Sequence, residues 1–192
     1  MKTQISNLKF QKGFTLIELI VVFTVMAILA TIGTASLVSY SRTQTLNQAT
    51  SDLVQTLNTA KSLSASQVKT INKNNSGSKG CITNDQILNG YGVMFSVDQS
   101  NPSLKKYSYS LYVQCIGSNG TPLPIVADSL WWIKLPNDVA ITSTTNMTVF
   151  FPVLSGGIIT TGGNSIVLKS TYGGILSKTI NLRNGYINTT SP

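Results

Sequence analysis

Residues 11–33 read QKGFTLIELIVVFTVMAILATIG, and past Lys12 this stretch carries a single charge, the carboxylate of Glu18. No Lys or Arg occurs from Phe14 through Ser41; Phe, Leu, Ile, Val, Met and Ala alternate there with small Thr, Gly and Ser. A bilayer core of about 30 Å is crossed by about 20 helical residues, so 14–37 suffices for one transmembrane helix. Lys2, Lys9 and Lys12 precede the run without an acid among them. The positive-inside rule therefore predicts a cytoplasmic amino terminus and an exported remainder. Gly33-Thr34-Ala35 has the small residues of a signal-peptide cleavage site, but the apolar run is longer than the 7–15 residues of a secretory signal, and retention as an anchor is the preferred reading. Glu18 is the anomaly. A carboxylate at the centre of a span costs about 2.5–3.5 kcal/mol, and such a group is usually retained for a partner or a pathway. Only four residues past Phe14, it can also snorkel to the interface at lower cost. A partner would have to be a cation, and this helix contains none.

The composition of the rest excludes several functions. The chain has 192 residues, enough for an anchor and one globular domain. Only 10% of residues are charged, so the domain surface should be neutral and polar. From Arg42 onward eleven basic residues face five aspartates, a net +6, which permits contact with DNA or anionic surfaces. There is no histidine, which removes Ser-His-Asp and Cys-His catalysis and the commonest metal ligand. Two cysteines and scattered aspartates supply no four-ligand zinc site. Neither a cofactor nor an enzymatic activity is expected. Cys81 and Cys115 suit one disulfide in an exported domain, two buried thiols being the alternative.

Residues 40–68 contain neither Pro nor Gly, and Leu46, Ala49, Leu53, Leu57, Ala60 and Leu63 recur at spacings of three and four. This is the apolar stripe of an amphipathic helix, expected to pack on a sheet of the same chain. Joined to the membrane run it would form one helix of about 55 residues. Residues 69–80, KTINKNNSGSKG, read as helix stop and solvated loop. Beyond Cys81 the period changes to two. In residues 107–115 the alternation puts Tyr107, Tyr109, Leu111, Val113 and Cys115 on one face. Further strand candidates are 91–97, 131–135, 139–142, 148–153, 165–169, 176–182 and 186–188, separated by Gly, Pro and Asn turns. Alternation sends Trp131 and Trp132 to opposite faces, one to the core and one to a surface. One long helix followed by hairpins is an α+β plan.

Lys12-Gly13-Phe14-Thr15-Leu16-Ile17-Glu18-Leu19 with its apolar run closely resembles the class III signal of type IV pilins and type II secretion pseudopilins. The resemblance implies a prepilin peptidase that cuts between Gly13 and Phe14 and methylates Phe14. It also implies that Glu18 pairs with the amino terminus of a neighbouring subunit during assembly, which would supply the missing cation. The carboxy-terminal pattern VFFPVLSGG…NSIVLKS…GGILSKTINLRNGYI and the helical Leu57-Asn58-Thr59-Ala60-Lys61-Ser62 resemble the H-type minor pseudopilins, the GspH/FimT family. The pilin fold so implied has a basic leader (1–13), a transmembrane helix (14–38), its amphipathic continuation (39–70) and an extracytoplasmic β-rich domain (71–192). The implied partners are other subunits, the peptidase and the inner-membrane assembly platform. Some members of the GspH/FimT family bind DNA through the carboxy-terminal region, which singles out Lys169, Lys178 and Arg183 as candidates for a pilus-borne DNA receptor. The carboxy-terminal resemblance favours a minor subunit of a pilus or secretion pseudopilus, with a major pilin as the alternative.

Overall fold

The computed structural model describes residues 13–69, 81, 86–98, 106–123, 132–142, 147–172, 176–183 and 185–190. The chain divides into two compact units, Met1–Ser41 and Arg42–Pro192. One helix, α1 (Leu16–Ala65), runs through both. Among the described residues nine strands follow: β1 (Ile87–Asp98), β2 (Lys106–Ile116), β3 (Trp132–Lys134), β4 (Val139–Ile141), β5 (Thr148–Pro152), β6 (Ile159–Thr161), β7 (Ser165–Ser170), β8 (Ser177–Arg183) and β9 (Tyr186–Thr190). All pair antiparallel, in a five-stranded sheet of order β3-β2-β1-β5-β6 and a four-stranded sheet of order β4-β7-β8-β9. This is the α+β pilin fold that the sequence implied.

Within the first unit the apolar run is exposed along its whole described length, from Phe14 and Leu16 to Leu37 and Val38. Its hydroxyls turn back on the helix. Thr24 donates to Val21 O at 2.8 Å, Thr31 to Ile28 O at 2.7 Å and Thr34 to Thr31 O at 3.0 Å. Polar groups satisfied inside the segment are what a hydrocarbon environment demands.

In the second unit Leu46, Ala49, Leu53, Leu57 and Ala60 form the buried stripe of the helix. They join Tyr91, Val93, Phe95, Tyr109, Val149 and Phe151 of the first sheet and Val139, Ile141, Ile166, Leu168, Ile180 and Leu182 of the second in one cluster. The stripe departs from expectation at its end: Leu63 is half-buried, and Ser64 takes the fully buried place. Its hydroxyl donates to Phe151 O at 2.7 Å, so a polar group enters the core with its partner. The helix stops at Ala65 because Gln67 adopts φ 53°, the left-handed turn that ends many helices.

Alternation along β2 holds on the inner face, where Tyr109 is core and Tyr107, Leu111 and Val113 pack against it. The outer face is not the polar surface that alternation implies, since Ser110 and Tyr112 are buried too. The reason lies on the neighbouring strand. Gly90 and Gly92 leave that face of β1 without side chains, and the rings of Tyr112 and Phe150 lie over the trough, stacked with centroids 6.2 Å apart. A Cβ on Gly92 would come within 2.5 Å of Tyr112 Cζ. A Cβ on Gly90 would meet both the Phe150 ring and the Phe151 carbonyl oxygen. Strand β6, three residues of Ile and Thr, has no counterpart among the sequence candidates.

Arg42 and Lys61 link the helix portion of the second unit to the second sheet. At the first residue of this unit the Arg42 guanidinium lies 5.5 Å from the centre of the Tyr172 ring, beyond β7. Near the end of the helix Lys61 Nζ donates to Gly185 O at 2.7 Å and lies 5.8 Å from the centre of the Tyr186 ring. Gly185 has φ +81°, and a Cβ there would strike the carbonyl of Gly156, so the β8–β9 turn rests directly on the turn after β5.

Candidate functional site

The residues that distinguish this chain cluster at the start of the described structure. Gly13, Phe14 and Thr15 precede the helix, all exposed, and no atom would lie within 4 Å of a Cβ on Gly13. Phe14 is 81% exposed. The peptide bond between Gly13 and Phe14 therefore lies in open, non-helical chain, the form in which a peptidase can reach a backbone carbonyl. The helix begins two residues further on. Thr15 is its N-cap: its Oγ1 accepts from Glu18 N at 3.3 Å, while its carbonyl accepts from Leu19 N at 3.2 Å.

That geometry gives Glu18 a local role that the sequence reading overlooked. Thr15-Leu16-Ile17-Glu18 has the Thr-x-x-Glu spacing of a capping box, with Glu18 at the third helical position. An acid in the first turn is favoured by the positive end of the helix dipole, typically by 0.3–1 kcal/mol at exposed sites. This offsets only part of the 2.5–3.5 kcal/mol cost of a carboxylate in hydrocarbon. The signal was legible in the sequence, although the apolar run drew attention away from it. Residues 1–12, and Lys2, Lys9 and Lys12 with them, lie outside the described residues.

The three candidate DNA contacts are not brought together. Lys169 and Arg183 are exposed, whereas Lys178 is half-buried and pairs across the ladder with the core residue Leu168. Lys169 pairs with Ser177 at one end of β8, and Arg183 ends that strand six residues later, about 20 Å away. Of the two tryptophans, Trp131 lies outside the described residues, and Trp132 is half-buried opposite Ser110. The cation-bearing loop after the helix, 70–80, is likewise outside them.

Cys81 and Cys115 are joined by a disulfide, their Cα atoms 5.7 Å apart. Among the described residues no three His, Cys, Asp or Glu side chains gather as a metal site. The titratable groups displaced from their ordinary values are two tyrosines of β2. Burial pushes the Tyr112 hydroxyl up to about 12, with a hydrogen bond from Thr148 working against it. Tyr109 is raised by burial, lowered by its hydrogen bond with Thr56 and raised again by the Asp52 carboxylate. Both are structural groups of the sheet.

The family model described as the prokaryotic N-terminal methylation motif matches residues 8–34, a stretch that includes Gly13, Phe14, Glu18 and most of the apolar run. No curated protein and no solved structure matches the chain. The motif comes with a long apolar helix that holds the chain to a membrane and with antiparallel sheets behind it. Its presence points to a structural protein, processed by a prepilin peptidase and assembled with other pilin subunits. Motif and architecture together support a type IV pilin-like or pseudopilin-like protein.

Proposed function

We propose that this protein is a minor subunit of a type IV pilus or type II secretion pseudopilus, cut between Gly13 and Phe14, methylated on Phe14 and drawn into the filament by its helix. The observation that carries the reading is the exposed apolar run, which begins at the proposed cut and whose Thr24, Thr31 and Thr34 hydroxyls bond back to its own helix. Such a surface needs lipid before assembly and other helices after it. Leader lysines hold the amino terminus in the cytoplasm, the β domain is exported, and an inner-membrane platform extracts the subunit. Glu18 pairs with the ammonium that cleavage creates on a neighbouring Phe14. The helix dipole already favours its charge, and the second cation supplies what the dipole leaves uncompensated.

Mass spectrometry of the mature amino terminus tests the processing step. A methylated Phe14 is the expected result, and an intact Met1 or a terminus after Ala35 would overturn it. For Glu18, the Glu18→Ala chain should be inserted and cleaved as usual yet enter filaments poorly; normal incorporation would remove the pairing role. The DNA-receptor reading has less support, because Lys169, Lys178 and Arg183 do not share one surface. Strong, salt-sensitive DNA binding that the triple Gln variant abolishes would restore it.

A further inference from the structure

One end of the second unit is basic, and it is the end at which the chain enters from the apolar run. Arg42 is the first cation after a stretch free of Lys and Arg that begins at Phe14. It lies five residues past Leu37 in a continuous helix, a rise of about 7.5 Å. The strands place three exposed lysines at the same end. Strand β1 runs from Tyr91, whose hydroxyl donates to Val68 O beyond the far end of the helix, back to Asp98, which pairs with Lys106. Lys134 pairs with Ser108, two residues into β2. The connection after Lys134 crosses to the second sheet, where Val139 pairs with Ser170 next to Lys169. Tyr172, under the Arg42 guanidinium, is 53% exposed, and Leu176, whose carbonyl accepts from Ser170 N at the end of β7, is also exposed. Among the described residues the acids at this end are Asp98 and Asp138.

We propose that this collar of Arg42, Lys106, Lys134 and Lys169, with Tyr172, docks on anionic phospholipid headgroups of the bilayer that holds the chain's own apolar run. The proposal rests on reading that run as a membrane span. Two observations select lipid as the occupant. Among the described residues cations outnumber acids at this end, matching a negative surface, and Arg42 follows the apolar run by a helical rise comparable to the Debye length of about 8 Å at physiological salt. A tyrosine with an apolar ring, a polar tip and an arginine stacked on it suits the headgroup layer, where aromatic and cationic side chains concentrate. Docking would hold the domain against the membrane while the subunit waits in it.

The full chain carrying Leu176→Cys, spin-labelled and placed in nanodiscs, tests this directly, since both native cysteines are disulfide-bonded. Ile159→Cys on edge strand β6 serves as the water-exposed control. In discs containing phosphatidylglycerol the label at position 176 should be shielded from a water-soluble paramagnetic relaxant. Pure phosphatidylcholine discs or high salt should remove the shielding. Each lysine near an anionic surface is worth about fivefold, so Lys106→Gln/Lys134→Gln/Lys169→Gln should lower the docked-to-free ratio on the order of 100-fold. These lysines are exposed, so the fold should survive their loss. Equal exposure of the label in both lipids would overturn the proposal, as would shielding that ignores lipid charge and the triple variant. Carbonate-resistant retention of the same chain reports separately on the membrane span.

Discussion

Replacing Gly92 by Ala tests how the first sheet is built. A Cβ at this position would lie 2.5 Å from Tyr112 Cζ and 2.6 Å from its hydroxyl oxygen, so the ring must retreat by about 1 Å to reach ordinary contact. Retreat disturbs the stack on Phe150, worth about 0.5–1.5 kcal/mol, and the hydrogen bond with Thr148, worth about the same. The lower entropy of an unfolded Ala chain returns about 0.4–1 kcal/mol. The net is a loss of about 1–2 kcal/mol, or roughly 2–8 °C in the melting temperature of a domain this size. Thermal unfolding of the full chain in detergent, followed by near-ultraviolet circular dichroism of the tyrosines, reads it. The decisive comparison is the second-site change. Tyr112→Leu in the Gly92→Ala background should cost less than it does alone, because the obstructing ring is already displaced. Gly90→Ala should resist the equivalent relief by Phe150→Leu, since its added Cβ also meets the backbone carbonyl of Phe151, which trimming a ring does not move. A neutral Gly92→Ala, or additive losses in that pair, would refute the close approach of the ring.

Three further outcomes follow from contacts described above. Tyr112 should weaken the fold at high pH: its neutral form is favoured in the native state, so that stability is complete below about pH 10 and is lost as pH rises toward 12. The loss reaches on the order of 2–3 kcal/mol above pH 12, and a Tyr112→Phe chain with an unchanged alkaline melting curve would contradict this. Lys61→Met keeps the alkyl packing but leaves the buried Gly185 carbonyl without its charged donor, so a loss of about 1.5–3 kcal/mol is expected in urea unfolding; a midpoint within error of the parent would show the link to be inert. Reducing the Cys81–Cys115 bond, which closes a separation of 34 residues, should cost about 4 kcal/mol by the chain-entropy relation. Melting temperatures with and without reductant measure it, and identical values would show that the bond does not constrain the unfolded chain.

The features legible in the sequence were those with a period or a local chemical grammar. The stripe Leu46, Ala49, Leu53, Leu57, Ala60 follows the helical repeat and is buried, because a helix has one way to turn those positions toward a single surface. The alternation in β2 likewise identified Tyr109 as core. What escaped depends on the neighbouring strand. The second face of β2 is filled because Gly90 and Gly92 stand beside it in the ladder, and pairing register is not written in either strand alone. Strand β6 lies between the glycine pairs 156–157 and 162–163, which read as turns, and its strand character comes from pairing with β5. At the candidate site the sequence singled out Glu18 but missed Thr15 as its cap, since a hydropathy reading passes over threonines. The separation of Lys169, Lys178 and Arg183 was equally hidden, because facing depends on register.

The link from Lys61 to Gly185 joins residues 124 positions apart. At about 5–20 residues per second of synthesis, the helix is complete some 6–25 s before the turn that receives its lysine has been made. Throughout that interval Leu46, Leu53 and Leu57 have no strands β8 and β9 to cover them. The final hairpin is therefore the closing piece of this domain, and a chain that stalls or is clipped before residue 185 would present an unsealed leucine stripe to whatever quality-control machinery meets it.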